Sequence, residues 1–80
     1  MKIPRDVDAK ALIKALNKIG YQETRQVGSH VRLSITRDGK QFHITIPNHN
    51  PIKIGTLNNI LKEISNTMSL SKDQLLKKLF

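Results

Sequence analysis

Apolar residues recur along the chain with two different periods, which predict where the helices and strands lie. Over residues 8–19 they fall at i, i+3, i+4 and i+7, the spacing of one helical face. Asp8, or alternatively Asp6, can cap the start of this helix, and Gly20 stands where a glycine commonly follows one. We therefore expect an amphipathic helix over residues 8–19, with an apolar face formed by Leu12, Ala15, Leu16 and Ile19.

Residues 21–27, 30–36 and 41–46 have the alternating pattern and β-favouring residue types that predict three strands. The tetrapeptide RDGK at residues 37–40 joins the second strand to the third, and its Asp-Gly pair is typical of a two-residue type I′ turn. The register that follows from this turn places three apolar pairs on one face, as a buried face requires. These pairs are Val31 with Ile46, Leu33 with Ile44, and Ile35 with Phe42.

The turn between the first and second strands, within the stretch QVGSHVR, has two interpretations. A two-residue turn at Gly28-Ser29 would pair Val27 with His30. A three-residue turn would pair Val27 with Val31 and leave His30 on the turn itself. We predict the three-residue turn, because it gives the first strand an inward-facing apolar residue.

Two helices are predicted after the third strand. Residues 54–67 carry apolar positions at helical spacing: Ile54, Leu57, Ile60, Leu61 and Ile64. A capping box at Ser71-x-x-Gln74 then introduces a short helix over residues 72–79, and Leu70 can form a hydrophobic staple with Leu75. We expect this last helix to close the core rather than to act as a docking surface.

The order of the elements predicts an α+β fold: a three-stranded antiparallel meander with helices covering one face, α-β-β-β-α followed by a short C-terminal helix. A chain of 80 residues has the length of one small domain, so we expect residues 1–80 to form a single domain. The other face of the sheet would stay open or only lightly covered.

The composition favours a polyanionic partner. The chain has 14 Lys and Arg against 6 Asp and Glu, a net charge of +8, which suits nucleic acid, an acidic protein or an anionic membrane. It contains no cysteine, which excludes disulfides and cysteine-based zinc sites. Its N-terminus has no apolar signal region and no segment could span a membrane, so we expect a cytoplasmic protein.

The predicted register separates the histidines into two places. His43 lies opposite Ser34, and His30 lies four residues further along the second strand, about 13 Å away at ~3.3 Å per residue. His30 instead lies opposite Pro47, with His49 two residues beyond. If two histidines cooperate, we expect them to be His30 and His49, with His43 a solvated strand residue.

The polar residues favour one chemistry over others. The acidic residues are scattered without the clustering that a two-metal phosphodiesterase needs, and no motif indicates zinc. Ser29 beside His30 has no third group and no nucleophile elbow, which disfavours acyl transfer. Metal-free RNA cleavage needs less, because RNA supplies its own 2′-hydroxyl nucleophile and a histidine can take the proton. We therefore expect neither a metal nor another cofactor.

Five residues suit that chemistry. His30 would take the proton, Gly28 would let the backbone approach a phosphate, and Ser29 would donate its hydroxyl. Arg32 projects from the same face as His30, and Lys53 lies near the start of a helix, where anions bind favourably. Taken alone, however, an isolated strand histidine is more often simply an exposed residue.

Four short motifs occur in a fixed order: LNKIGY at the end of the first helix, GSH at the start of the second strand, IPNH at the end of the third, and IGTLNNILKE in the next helix. Over roughly residues 4–76 this set resembles the HicA (YcfA-like) family, mRNA interferase toxins of type II toxin–antitoxin systems. The resemblance implies a double-stranded-RNA-binding-like fold and an endoribonuclease that cleaves mRNA.

The same resemblance assigns roles to residues and partners. It implies that His30 is the catalytic histidine, that Pro47 and His49 match the family's P-x-H motif, and that a HicB-type antitoxin binds the toxin. Asn48 departs from the family, in which an arginine is common at this place. An acidic antitoxin surface over the His30 face would suit the net charge.

The main alternative is a non-catalytic RNA-binding module of the same double-stranded-RNA-binding-like fold. Such a module contacts phosphates through a lysine cluster at the start of its last helix, and it would not need His30. Here that place reads NPIKIGTL, in which Lys53 is the only cation. The sequence therefore favours the enzyme over the binding module.

Overall fold

The computed structural model describes residues 6–80, which form a helix, a three-stranded sheet and two further helices. This arrangement confirms the predicted α+β fold with its double-stranded-RNA-binding-like α-β-β-β-α order and additional C-terminal helix. No helix within these residues is long and apolar enough to cross a membrane. In chain order the elements are α1 (Ala9–Lys18), β1 (Gln22–Val27), β2 (His30–Arg37), β3 (Lys40–Pro47), α2 (Ile54–Met68) and α3 (Lys72–Leu79).

The pairing of β2 with β3 follows the predicted register. Asp38 and Gly39 have φ angles of 53° and 76°, and two positive values in succession are those of a type I′ turn. The turn pairs Arg37 with Lys40, and the three predicted apolar pairs follow from it. In these pairs Val31, Leu33, Ile35, Ile44 and Ile46 are buried, and Phe42 is partly buried against the core.

The turn between β1 and β2 is shorter than predicted, so the three-residue prediction was wrong. Val27 pairs with His30, which leaves Gly28 and Ser29 as a two-residue turn. The φ of 59° at Gly28, the first central residue, is typical of a type II′ turn. Val27 is 59% exposed, and the whole of β1 is exposed. Because β1 buries nothing, the burial of an apolar residue could not select its register.

The three helices pack with the inner face of the sheet around one apolar core. Leu12 and Leu16 of α1, and Leu57, Leu61 and Ile64 of α2, are almost completely buried. The last helix also contributes to the core, as predicted, through Leu75, Leu76 and Leu79. Its Lys72 ammonium donates a hydrogen bond to the Asn58 amide oxygen, which joins α3 to α2.

Ile54 departs from the predicted apolar face of α2. It is 51% exposed, although its spacing places it in line with the buried Leu57 and Leu61. Ile54 is the first residue of the helix, and it borders an open hollow together with Pro51 and Ile52. The helix therefore reaches the core only from Leu57 onward.

The ends of α1 are those that the sequence predicts. Asp8 occupies the N-cap position with extended backbone angles, although no side-chain capping bond forms within the described residues. At the other end, the Gly20 amide donates to the Asn17 carbonyl (3.3 Å) and the Tyr21 amide donates to the Leu16 carbonyl (3.1 Å). These two bonds form a Schellman motif, which turns the chain directly into β1.

The start of α3 shows the predicted capping box. The Ser71 hydroxyl accepts from the Gln74 amide (3.1 Å), and the Ser71 amide donates to the Gln74 side-chain oxygen (2.9 Å). Leu70, just before the cap, is partly buried against the core that contains Leu75. The capping box thus stabilises the first turn of α3, and the leucines that follow it pack in the core.

Tyr21 joins the end of α1 to the core and is only 2% exposed. Burial raises the pKa of its phenol, because the phenolate would lose its hydration. The Glu63 carboxylate adds to this rise, whereas the Thr67 hydroxyl and the Arg37 guanidinium oppose it. The folded protein therefore holds the phenolic proton more tightly than the unfolded chain does.

We expect part of the free energy of unfolding to be lost as the pH rises above about 10, the ordinary pKa of tyrosine. The contribution of Tyr21 is complete below that pH and is lost between the unfolded and the raised folded pKa, because the folded state binds the proton more strongly there. Tyr21→Phe should have a smaller loss over the same pH range in denaturant titrations. Since Tyr21 is the chain's single tyrosine, its ultraviolet absorbance reports the pKa directly. An equal pKa in native and denatured protein would contradict this prediction.

Candidate functional site

The face of the sheet opposite the helices is polar and largely open to solvent. It carries the residues of β2 and β3 that alternate with the buried ones. Because residues paired across antiparallel strands share a face, the strand pairing also shows which residues of β1 belong to it. We call this surface the open face, and its members on β2 and β3 are His30, Arg32, Ser34, Thr36, Gln41, His43, Thr45 and Pro47.

At one end of the open face, His30 lies in a shallow hollow of about 150 Å³ that all three strands line. Its side chain is exposed, so a ligand on this face can reach the imidazole directly. Arg25 and Val27 come from β1, Arg32 from β2 and Thr45 from β3. We call this the histidine hollow.

Two guanidinium groups border the histidine hollow. Arg25 pairs directly with Arg32 across the strands, one row from the Val27–His30 pair on the same face. The rows are separated by about 7 Å at ~3.3 Å per residue. Like charges in directly opposite positions are destabilising, and a bound anion would relieve their repulsion. The arrangement therefore places an imidazole, a group that can transfer protons, beside two arginines that could bind an anion.

Arg25, Val27 and Thr45 are site residues that the sequence reasoning missed. The register of the Asp-Gly turn already placed Thr45 opposite Arg32, so Thr45 could have been found. Arg25 and Val27 depended on the length of the Gly-Ser turn. The two-residue interpretation would have placed Val27 beside His30 and Arg25 beside Arg32.

The Gly28-Ser29 turn is tied to the loop that follows β3. The Asn48 amide donates to the Ser29 carbonyl at 2.6 Å, and Pro47 pairs with His30 in the sheet. The predicted proximity of His30 to the Pro47–His49 loop is therefore present. The His49 carbonyl accepts from the Ala9 amide (3.3 Å), which holds the loop against the start of α1, while the His49 side chain is exposed.

Lys53 lies in a different hollow from His30. It borders an open depression of about 390 Å³ with Asp6 and Ile54. Lys53 is exposed and is the N-cap of α2, where its carbonyl accepts from the Leu57 amide at 2.9 Å. Of the predicted site residues, the structure thus groups Gly28, Ser29, His30 and Arg32 at one end of the sheet and places Lys53 outside the histidine hollow.

His43 is exposed, but it is also hydrogen-bonded. It pairs with Ser34 in the sheet, as predicted, and its Nδ1 lies 2.6 Å from the Ser34 hydroxyl. The Ser34 hydroxyl lies 3.1 Å from that of Thr24 on β1. His43 therefore has a fixed ring, which distinguishes it from an ordinary solvated strand residue.

Within residues 6–80, no three His, Cys, Asp or Glu side chains come close enough to hold a metal ion together. Apart from His30, the residues that line the histidine hollow are cationic, hydroxylic or apolar.

The family comparison agrees with the motifs and the fold. The family model described as the HicA toxin of bacterial toxin–antitoxin matches residues 9–65, from α1 to most of α2, and the chain belongs to this family. The match includes Gly28-Ser29-His30 and the Pro47–His49 loop, whereas α3 lies beyond it. Membership of a toxin–antitoxin family implies an antitoxin partner.

The other two comparisons add no relatives. No curated protein matches the chain significantly. No solved structure matches it significantly either.

Gly28 allows the turn that places His30 at the edge of the hollow. Among the described residues, no neighbouring atom lies within 4 Å of the position that a β-carbon on Gly28 would take. Gly28→Ala should therefore lower the free energy of unfolding by about 1–2 kcal/mol through its positive φ alone, without a steric clash. Urea denaturation measures this change.

Gly55→Ala is the matched control, since Gly55 lies in the first turn of α2 and also has open space around it. This substitution should be neutral or should stabilise the protein by up to about 1 kcal/mol, because alanine favours the helix. Equal effects of the two substitutions would show that the Gly28 backbone angle does not require glycine.

Proposed function

We propose that this member of the HicA toxin family is a metal-independent endoribonuclease that binds and cleaves mRNA in the cytoplasm, with His30 as its catalytic residue. The observation that carries the proposal is the placement of His30 beside Arg25 and Arg32 in one exposed hollow. An imidazole can move a proton near neutral pH, and two guanidiniums can hold a phosphate between them. The net charge of +8 would attract RNA to this surface.

In the proposed reaction, His30 removes the proton from the ribose 2′-hydroxyl next to the scissile phosphate. The 2′-oxygen forms a bond to phosphorus, the bond from phosphorus to the 5′-oxygen breaks, and the 5′-oxygen leaves and takes up a proton from water. The products are a 2′,3′-cyclic phosphate and a 5′-hydroxyl end. General-base assistance of this kind contributes about 10²–10⁴ in rate.

Arg25 and Arg32 have the second role, the stabilisation of negative charge on the phosphate. The charge increases as the 2′-oxygen attacks, and cations positioned beforehand favour that state over the starting one. We assign the Ser29 hydroxyl and the Gly28 backbone to the same phosphate, because the turn leads directly into His30. His49 and Lys53, which are exposed but do not line the histidine hollow, are assigned to flanking phosphates.

The hollow is shallow and exposed, which suits control by a protein partner. We propose that a HicB-type antitoxin with an acidic surface covers the open face and thereby excludes RNA. Complementary charge would speed the association of toxin and antitoxin. RNA and the antitoxin would then compete for the same guanidinium groups.

His30→Ala should abolish cleavage of labelled RNA while the protein remains folded, because the His30 side chain is exposed and supports no core contact. Circular dichroism checks the fold, and Asn59→Ala, which shortens another exposed side chain, should cleave at the wild-type rate. An RNA with 2′-deoxyribose at the scissile position should resist wild-type enzyme, because it lacks the nucleophile.

Cleavage at full rate by folded His30→Ala protein would overturn the assigned role of His30. RNA binding without cleavage by the wild-type protein would instead favour a non-catalytic binding module.

Arg25→Ala and Arg32→Ala should each weaken RNA binding and make it less sensitive to salt. Removal of one phosphate contact lowers the slope of log affinity against log salt by roughly one. The measurement uses the His30→Ala protein, so that the RNA stays intact. Lys62→Ala removes the same charge from an exposed position on α2 and should leave the slope nearly unchanged. Equal slopes for all three variants would show that binding reflects net charge alone.

A further inference from the structure

A chain of hydrogen bonds crosses the middle of the open face, in the row next to the Arg32–Thr45 pair of the histidine hollow. The Thr24 hydroxyl donates to the Arg32 carbonyl at 3.3 Å. The Thr24 and Ser34 hydroxyls are 3.1 Å apart, and the Ser34 hydroxyl is 2.6 Å from Nδ1 of His43. All three strands contribute to the chain, and Ser34 at its centre is only 6% exposed.

The Arg32 carbonyl determines which group donates the hydrogen in each of these bonds. A carbonyl oxygen only accepts, so Thr24 uses its one hydroxyl hydrogen on Arg32 and must accept from Ser34. Ser34 has then used its own hydrogen and must accept from Nδ1–H of His43. Neutral His43 then carries its hydrogen on Nδ1, which leaves Nε2 as the acceptor nitrogen of an exposed side chain.

A bulge in β1 makes this chain possible. The pairing of β1 with β2 shifts between Glu23 and Arg25, so Thr24 is an additional residue on its strand. In a regular strand, Thr24 and Arg25 would point to opposite faces. The bulge instead lets Thr24 bond to Ser34 while Arg25 lines the histidine hollow.

The surface beside the chain is polar but uncharged. A hollow of about 250 Å³ lies there, bordered mainly by hydroxyl groups and carboxamides and also by Gly20 and Ile35. His43 adjoins this hollow through its hydrogen bond to Ser34. Hydroxyl groups and carboxamides read the edges of nucleobases, whereas cations hold the phosphates. The side chains of this hollow that lie on the open face belong to Gln22, Thr24, Ser34, Thr36 and Gln41.

The pairing of Ser34 with His43 also resembles a nucleophile with its general base. The directed chain opposes that role, because the Ser34 hydroxyl already donates to Thr24. Ser34 is also largely buried, at 6% exposed, which restricts the approach of a substrate to its hydroxyl. Thr24 and His43 are the exposed residues of the chain, and the imidazole of His43 can still accept a hydrogen bond from a ligand. A binding role is therefore the one that the geometry supports.

We propose that the middle of the open face is a base-reading subsite, in which Nε2 of His43 accepts a hydrogen bond from a nucleobase next to the scissile phosphate. This inference rests on the proposed function, which supplies RNA as the substrate. His43 lies four residues along the sheet from His30, about 13 Å at ~3.3 Å per residue, so it meets a neighbouring nucleotide rather than the scissile phosphate beside His30. His43 is thus a specificity-determining residue, and Ser34 is the positioning residue that fixes its ring.

The test compares cleavage sites in an RNA pool of random sequence. Wild-type protein should prefer particular bases beside the cut, and His43→Ala should cut with that preference lost or flattened. His43→Gln, whose amide oxygen can replace the imidazole acceptor, should retain much of the preference. Ser34→Ala should give an intermediate result, because His43 remains but its ring and tautomer are no longer fixed.

A binding measurement separates this inference from the proposed catalysis. In the His30→Ala protein, added His43→Ala should weaken binding of an RNA with the preferred base by roughly three- to tenfold, the value of one hydrogen bond. Binding of an RNA with a disfavoured base should change little. A folded His43→Ala protein with wild-type base preference and affinity would overturn the subsite. The proposed catalysis would still stand if His30→Ala had lost cleavage.

Discussion

The pairing of β2 with β3 is the constraint on which the rest of this structure depends. Side chains alternate along a strand, so a slip of one residue would expose the apolar set and turn His30, Arg32 and Ser34 toward the helices. The type I′ turn at Asp38-Gly39 opposes such a slip, because its twist matches that of the strands it joins. The apolar cross-strand pairs oppose it as well, since every one of them would leave the core.

The edge strand β1 contributes to the open face rather than to the core. All of its residues are exposed, yet Arg25 and Val27 line the histidine hollow and Thr24 anchors the hydrogen-bond chain. The bulge interrupts the regular hydrogen-bond ladder at this edge of the sheet. It also lets two successive residues, Thr24 and Arg25, contribute to the open face. Although β1 contributes no buried residue to the core, it would complete both halves of the proposed RNA-binding surface.

The two halves have different chemistry, and on the proposed function each would contact a different part of the RNA. The histidine hollow carries two guanidiniums, whereas the middle of the sheet carries hydroxyls, carboxamides and a fixed imidazole. A strand of RNA offers the same alternation of phosphate charge and neutral base edge. On the proposed function, an exposed surface of this kind has no closing element of its own among the described residues, and an antitoxin partner would supply the control.

The sequence by itself determined the helices, the β2–β3 register and the position of His30 beside the loop that follows β3. Those features depend on local signals: helical spacing, an Asp-Gly turn, a capping box and matched apolar pairs. The motifs also identified the family, which the family comparison then showed over residues 9–65.

Only the tertiary structure decided the register of β1, and with it the guanidinium pair and the hydrogen-bond chain. A Gly-Ser turn permits two lengths, and a strand that buries nothing has no hydrophobic pattern to choose between them. The exposure of Val27 and Ile54 was misjudged for a related reason, because spacing shows which residues share a face but not where that face leaves the core. The role of His43 depended on a bulge and on three strands meeting at one hydroxyl, a contact that no single segment of sequence encodes.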